Sequence, residues 1–125
     1  MEYKEILKLK KKLEKANIPF EFTDDMFSTK KAPPAIRHLL KDQYPAYQII
    51  IKKNGVILCD AIQNTLSYGN KADKLEISGA LTAAELANDE VLGYLTAAEV
   101  FKRFKYCYIN NTRVYEEEQT KCQNY

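Results

Sequence analysis

The dipeptide Asn54-Gly55, placed between two apolar runs, is the feature that most constrains the fold of this chain. Asn-Gly is favoured in the type I′ turn of a two-residue hairpin, which needs positive φ at both central residues. Residues 47–51 and 56–62 are therefore predicted to form a β-hairpin. Residues 56–62 are apolar at almost every position, so we expect their strand to be central and covered on at least one face.

Segments on either side of the hairpin extend the pattern to helix, sheet, helix. Residues 2–17 predict a helix, because their apolar residues recur at spacings of three and four. Asn17 and Pro19 are expected to end that helix, since the residue before a proline avoids the α region. Short strands are predicted at 18–22 and 74–78.

The pentapeptide Leu-Thr-Ala-Ala-Glu occurs twice, at 81–85 and at 95–99. Each copy contains Thr-x-x-Glu, the capping box, in which threonine accepts an amide hydrogen bond at the helix start and glutamate bonds back to the cap. We expect a short helix near 83–88 and a longer one near 97–109. A spacing this short does not predict a structural repeat.

These elements predict one α+β domain over residues 1–125. We expect an antiparallel β-meander of three to four strands, with the N-terminal and C-terminal helices packed on one face. Residues 28–46 are interpreted as an excursion between strands, and residues 114–125 as a flexible tail.

The excursion contains a sequence typical of a short helix at 34–44, with Pro34 at its first position. Ile36, Leu39 and Leu40 are expected to turn inward. His38 falls in the same segment and is interpreted as a surface residue.

Charge is unevenly distributed, although the net charge is only +2. Residues 1–15 carry six lysines against three glutamates, whereas residues 71–99 carry six acids against two lysines. Residues 102–113 are basic again. This alternation suits self-association into a homo-oligomer or a phosphate-bearing ligand.

The cysteines Cys59, Cys107 and Cys122 are odd in number and form no CxxC pair. Cys59 and Cys107 fall in apolar segments and are interpreted as small core residues. The charged N-terminus does not resemble a signal peptide, and no apolar run approaches membrane-spanning length. The sequence predicts a cytoplasmic protein with reduced thiols, no membrane association and no cofactor.

Polar residues in and after the second hairpin strand form the best candidate site. The candidate ligand-binding residues are Asp60, Gln63, Tyr68 and Glu76. A carboxylate in an apolar strand is costly unless it is paired or faces solvent, so Asp60 predicts either a functional group or a structural hydrogen bond. One hypothesis is a small hydrolase or nuclease in which Asp60 and Glu76 hold Mg²⁺ or Mn²⁺. No nucleophile and base converge, so an enzyme is the less favoured interpretation.

A lysine stripe on the first helix is the second candidate. It consists of Lys4, Lys8, Lys11, Lys12 and Lys15. These side chains predict contacts to the phosphates of a nucleic acid, or alternatively a solvated face. The order of elements also resembles the double-stranded-RNA-binding domain, although the helix at 97–109 begins with an acidic rather than a basic turn.

Several runs resemble a family of small proteins carried by phages and prophages of Gram-positive, low-GC bacteria. The similar runs are LKKKLEKANIPFEF, CDAIQ, SYG, KLEISGALT and DEVLGYLTAAEVFKRF. The resemblance implies a phage accessory gene. It implies a non-enzymatic binding protein, with host-defence inhibition as one role and a host protein or a small nucleotide signal as the target. No site residues are carried over from that family.

Overall fold

The Asn54-Gly55 hairpin forms as the sequence predicts. The computed structural model describes residues 2–27 and 32–117. In it, β2 (Ala46–Lys53) and β3 (Val56–Asn64) are antiparallel neighbours. Asn54 and Gly55 have φ values of 55° and 79°, which the type I′ turn requires.

The sheet has five strands rather than three to four. Besides the hairpin it contains β1 (Glu21–Thr23), β4 (Leu75–Ser78) and β5 (Val91–Leu95). All neighbours are antiparallel in the order β1-β2-β3-β4-β5, so the sheet is a meander with β3 at its centre. β5 was not predicted, because it is short and is interrupted by Gly93 and by Tyr94, whose φ is 62°.

Both long helices, α1 (Glu5–Lys15) and α4 (Ala97–Asn110), pack on one face of the sheet, which confirms the predicted α+β arrangement. The side chains that the sheet turns towards them are buried and alternate along the strands. They are Ile49, Ile51, Cys59, Ala61, Leu75 and Ile77. The opposite face of the sheet carries the intervening residues and is called the open face below.

Both capping boxes form as predicted. Thr82 Oγ1 accepts the Glu85 amide at 3.1 Å at the start of α3 (Ala83–Leu86). Thr96 Oγ1 accepts the Glu99 amide at 3.2 Å at the start of α4. Each glutamate accepts the cap amide in return, so two backbone donors are satisfied at each helix start.

The excursion between β1 and β2 contains α2 (Pro34–Gln43), as predicted. The predicted inward orientation is wrong for Ile36 and Leu39, which are 43% and 54% exposed, whereas Leu40 is partly buried. The strands that α2 connects pair directly with each other, and α1 and α4 already cover the inner face of the sheet. The inner face of the sheet is therefore already covered and offers no surface for α2.

The predicted tail begins with two ordered residues. Val114 forms a bridge with Leu81, and the Tyr115 amide donates to the Leu81 carbonyl at 2.9 Å. Tyr115 is only 3% exposed. The rest of the predicted tail from residue 118 onwards, with Cys122, lies outside the described residues. No helix within the described ranges is long and apolar enough to cross a membrane.

Candidate functional site

Asp60 lies on the open face of β3 and is held by a structural hydrogen bond. Its Oδ2 accepts from Gln48 Nε2 on β2 at 3.0 Å. Burial raises the pKa of Asp60, although the Gln48 hydrogen bond and the positive charge of Arg113 oppose that rise. The strand carboxylate is thus half-buried and already has a partner, which accounts for its place in an apolar strand.

Glu76 and Tyr68 are brought together, but through the tyrosine backbone. Glu76 Oε1 accepts the Tyr68 amide at 2.9 Å, which fixes the loop after β3 against β4. The Tyr68 side chain lies over Gly93, where an added Cβ would come within 2.3 Å of Tyr68 Cβ. Glu76 therefore positions Tyr68, and the absence of a side chain at residue 93 makes room for it.

Asp60 and Glu76 share the open face without being directly opposite. Asp60 pairs with Ser78, and Glu76 pairs with Ile62, so the two acids are diagonal neighbours, about 7–8 Å apart in a sheet. Each already accepts a hydrogen bond. The metal-dependent hydrolase hypothesis would require a metal ion to bind to these two carboxylates together.

Within residues 2–27 and 32–117, no three His, Cys, Asp or Glu side chains are grouped closely enough to hold a metal ion. His38 is exposed on α2, as interpreted from sequence. Cys59 and Cys107 are buried in the core, also as interpreted. Burial raises the pKa of Cys107 to about 11 and that of Cys59 further, so neither thiol is activated.

Gln63 lies on the opposite face of the sheet from Asp60 and Glu76. It is completely buried, and its Oε1 accepts the Ile6 amide of α1 at 3.1 Å. Its Nε2 donates to Asp73 Oδ1 at 2.6 Å. In this arrangement Gln63 supports the start of α1.

Asp73 completes the support of the α1 N-terminus. Its Oδ1 accepts the amides of Lys4 at 3.0 Å and Glu5 at 3.3 Å, in addition to the Gln63 amide group. Lys4, the N-cap residue, makes no side-chain cap of its own. The backbone donors that a helix start leaves unsatisfied are therefore capped from a distant part of the chain.

Glu5 joins the N-terminus of α1 to that of α4. Its Oε1 accepts the Ala97 amide at 2.8 Å, and its Oε2 pairs with Lys8 Nζ at 2.9 Å. Burial raises the pKa of Glu5, but the Ala97 hydrogen bond and the Lys8 ammonium outweigh it, so the pKa lies below its ordinary value. The two helices consequently start side by side.

Two further glutamates have lowered pKa values. Arg103 donates to both oxygens of Glu85, at 2.7 and 3.0 Å, and this holds the pKa of Glu85 below its ordinary value. The Thr96 amide lowers the pKa of Glu99, partly against the effect of burial. In all three glutamates, Glu5 included, the folded protein favours the charged form.

We expect stability to fall in acid because of these three glutamates. A lowered folded-state pKa stabilises the fold fully above the unfolded-state value of 4.5, and the stabilisation is lost as the pH falls through the lower folded-state values. Denaturant unfolding at a series of pH values from neutral to acid measures this fall. In Glu85→Gln the free energy of unfolding should fall less between neutral and acid pH than in the parent protein. Equal stability of the parent protein at neutral and acid pH would contradict the prediction.

The lysine stripe lies on the solvent side of α1. Lys4, Lys8, Lys11, Lys12 and Lys15 are all exposed. Their spacing places them on one side of the helix, next to the buried stripe of Ile6, Leu9 and Leu13. Lys8 is paired with Glu5, and Lys12 Nζ lies 6.0 Å above the Phe101 ring of α4.

The solvent side of α4 adds residues that sequence reasoning did not assign to a site. Lys102 and Lys105 are exposed beside a groove between α4 and the segment at Tyr115. The groove has a volume of about 610 Å³. Its lining includes Phe101, Lys102, Lys105, Tyr106, Ile109 and Tyr115. We call this feature the α4 groove.

The helical layer thus presents one basic surface with an aromatic groove beside it. The basic composition of residues 102–113 is visible in the sequence, and so is the stripe on α1. What brings them together is the packing of α1 against α4, seen in the contacts of Glu5 with Ala97 and of Lys12 with Phe101. That packing depends on contacts between residues far apart in the chain.

Comparison of the chain with protein-family models, with curated proteins and with solved structures found no match.

Proposed function

We propose that this protein is a non-enzymatic binding protein that holds a nucleic acid on the surface of its helical layer. The observation that carries the proposal is that two helices in contact both expose lysines, the α1 lysine stripe on one and Lys102 and Lys105 on the other. Lysine side chains on one surface supply phosphate contacts, and the release of counterions from the nucleic acid drives such binding. The surface needs no single deep pocket, because the backbone of a nucleic acid is a repeating anion.

The candidate acids support a binding role over catalysis. Asp60 accepts from Gln48, and Glu76 accepts from the Tyr68 amide, so each carboxylate has a structural partner. The phage origin, host-defence inhibition, self-association and a protein or nucleotide-signal target stay predictions.

The test is a binding measurement with charge-reversal variants. Lys11→Glu combined with Lys102→Glu should weaken binding of a labelled oligonucleotide about tenfold or more at about 0.1 M salt. The slope of log affinity against log salt should also become shallower, by about one for each phosphate that the protein no longer binds. Lys11 and Lys102 suit the test because they lie on the proposed surface and are exposed. Lys8 does not, since it pairs with Glu5 at the helix junction.

A matched control changes the net charge equally at other places. Lys52→Glu alters the hairpin on the open face of the sheet, away from the helical layer, and is compared with the single variant Lys102→Glu. Lys52 pairs with Glu21 in an exposed ion pair, which contributes little to stability. Equal losses in Lys52→Glu and Lys102→Glu would mean that only net charge matters. Unaltered binding in the Lys11→Glu, Lys102→Glu double variant would rule out the lysine surface.

A further inference from the structure

We infer that the α4 groove stacks unpaired bases, so that the nucleic acid held by this protein is single-stranded. The inference rests on the proposed function and names its ligand more narrowly. Proteins that bind single strands without sequence preference combine a basic groove along the backbone with aromatic side chains that stack on bases. The α4 groove has both parts.

One wall of the groove is aromatic and fixed in position. Tyr115 is buried, and its ring contacts Tyr106 edge to face at a centroid distance of 5.4 Å. Arg103 lies 4.9 Å from the Tyr115 ring centroid and is itself held by Glu85. Tyr115 is too buried to stack on a base, but it fixes the partly exposed Tyr106 ring. A base entering the groove therefore meets an aromatic side chain whose orientation is set before binding, which lowers the entropy cost of association.

Two further side chains of α4 supply exposed apolar surface to the groove. Phe101 is partly exposed, and Ile109, two turns further along the helix, is 61% exposed. Their spacing of eight residues puts both side chains on one side of α4. Exposed apolar surface of this kind, bordered by charged residues, is typical of a binding site.

Charge determines which ligand fits this apolar surface. Lys102 and Lys105 line the groove, and the Lys12 ammonium lies above Phe101. A phosphate can therefore contact lysine while the attached base contacts an aromatic ring. Glu116 lines the groove as well, so the phosphates are expected on the lysine side. Lys12 belongs to the α1 lysine stripe, so the stripe reaches the groove at Phe101.

A duplex cannot use the aromatic part of this groove. Its bases are paired and stacked inside the helix, so it can present only phosphates and groove edges to the protein. A single strand can turn its bases outwards to stack on side chains. Preference for single strands over duplexes of equal length is therefore the property that separates this inference from simple charge attraction.

The experiment measures fluorescence anisotropy of labelled oligo(U), oligo(dT) and a duplex of the same length with the full chain. We expect the single strands to bind about tenfold or more tightly than the duplex. Phe101→Ala should weaken single-strand binding roughly 5- to 100-fold, the effect typical of removing one stacked aromatic ring, and leave duplex binding nearly unchanged. Tighter binding of oligo(U) or of oligo(dT) than of the duplex supports the inference, and the ratio of the two affinities shows whether RNA or DNA is preferred.

Ile109→Glu provides a second variant in case Phe101→Ala fails to fold, because Ile109 is largely exposed. Its matched control is Ile57→Glu, which places the same charge at a 46% exposed residue of β3. Ile109→Glu should reduce the preference for single strands, and Ile57→Glu should preserve it. The groove inference would be overturned if single strands and duplex bound with equal affinity and neither Phe101→Ala nor Ile109→Glu changed that affinity. The proposed function would still stand in that case. Absence of binding to every oligonucleotide would overturn both.

Discussion

Phe104→Asp is expected to leave the chain unfolded at room temperature. Phe104 lies on α4 and is completely buried. Loss of a buried phenylalanine side chain alone costs about 3–5 kcal/mol. An unpaired buried carboxylate adds several kcal/mol more, while a domain of this size is stabilised by roughly 5–15 kcal/mol in total. Circular dichroism and thermal melting measure the outcome.

Ile109→Asp is the matched control for this change. It places the same carboxylate five residues further along α4, at a side chain that is 61% exposed. We expect the control to fold and to melt within a few degrees of the parent protein. If the Phe104→Asp protein unfolded cooperatively at an unchanged melting temperature, the packing of α4 in the core would be contradicted.

Gln63→Leu is expected to cost about 2–4 kcal/mol, although the side chain keeps nearly its size. The substitution leaves the Ile6 amide without an acceptor and takes a donor from Asp73. A buried donor left unsatisfied costs about 1–3 kcal/mol, and hydrogen bonds to charged groups are worth about 1.5–3 kcal/mol. The melting temperature should fall by roughly 10 °C.

Gln48→Leu separates this effect from a general intolerance of the sheet to leucine. Gln48 also donates to an aspartate, Asp60, but on the open face of the sheet. Because Asp60 is partly exposed, loss of that single bond should cost an amount at the low end of the range for charged groups, about 1.5 kcal/mol. Hydrogen exchange gives a second measurement, since Gln63→Leu should speed exchange at the Ile6 amide and Gln48→Leu should not. Equal losses of stability and equal exchange would contradict a role for Gln63 in capping α1.

The elements that were predicted from sequence are those whose signals are local. Asn54-Gly55 forms the hairpin turn because the φ preferences of two adjacent residues determine it. The capping boxes at Thr82 and Thr96 form because threonine and glutamate three residues apart satisfy each other's backbone donors. In each case the partners lie within a few residues in the chain.

The elements that were missed depend on partners distant in the chain. β5 forms because β4 offers a free edge to pair with, although Gly93 and Tyr94 weaken its strand pattern. Gln63 was interpreted as part of a ligand site because nothing in the nearby sequence identifies Ile6, 57 residues away, as its partner. Both helices were predicted on one face of the sheet, but the direct contact between Glu5 of α1 and Ala97 of α4 was not, because these residues lie 92 apart in the chain.

The remote cap of α1 affects the order in which a newly made chain can assemble. α1 is synthesised before the segments that cap it, and eleven residues form too short a helix to persist alone in water. Its amide acceptor Asp73 follows 69 residues after Lys4, and the Ala97 amide that Glu5 binds comes 92 residues after Glu5. On the ribosome α1 therefore emerges before the residues that hold its N-terminus, and its contact with α4 can form only after Ala97 has been released.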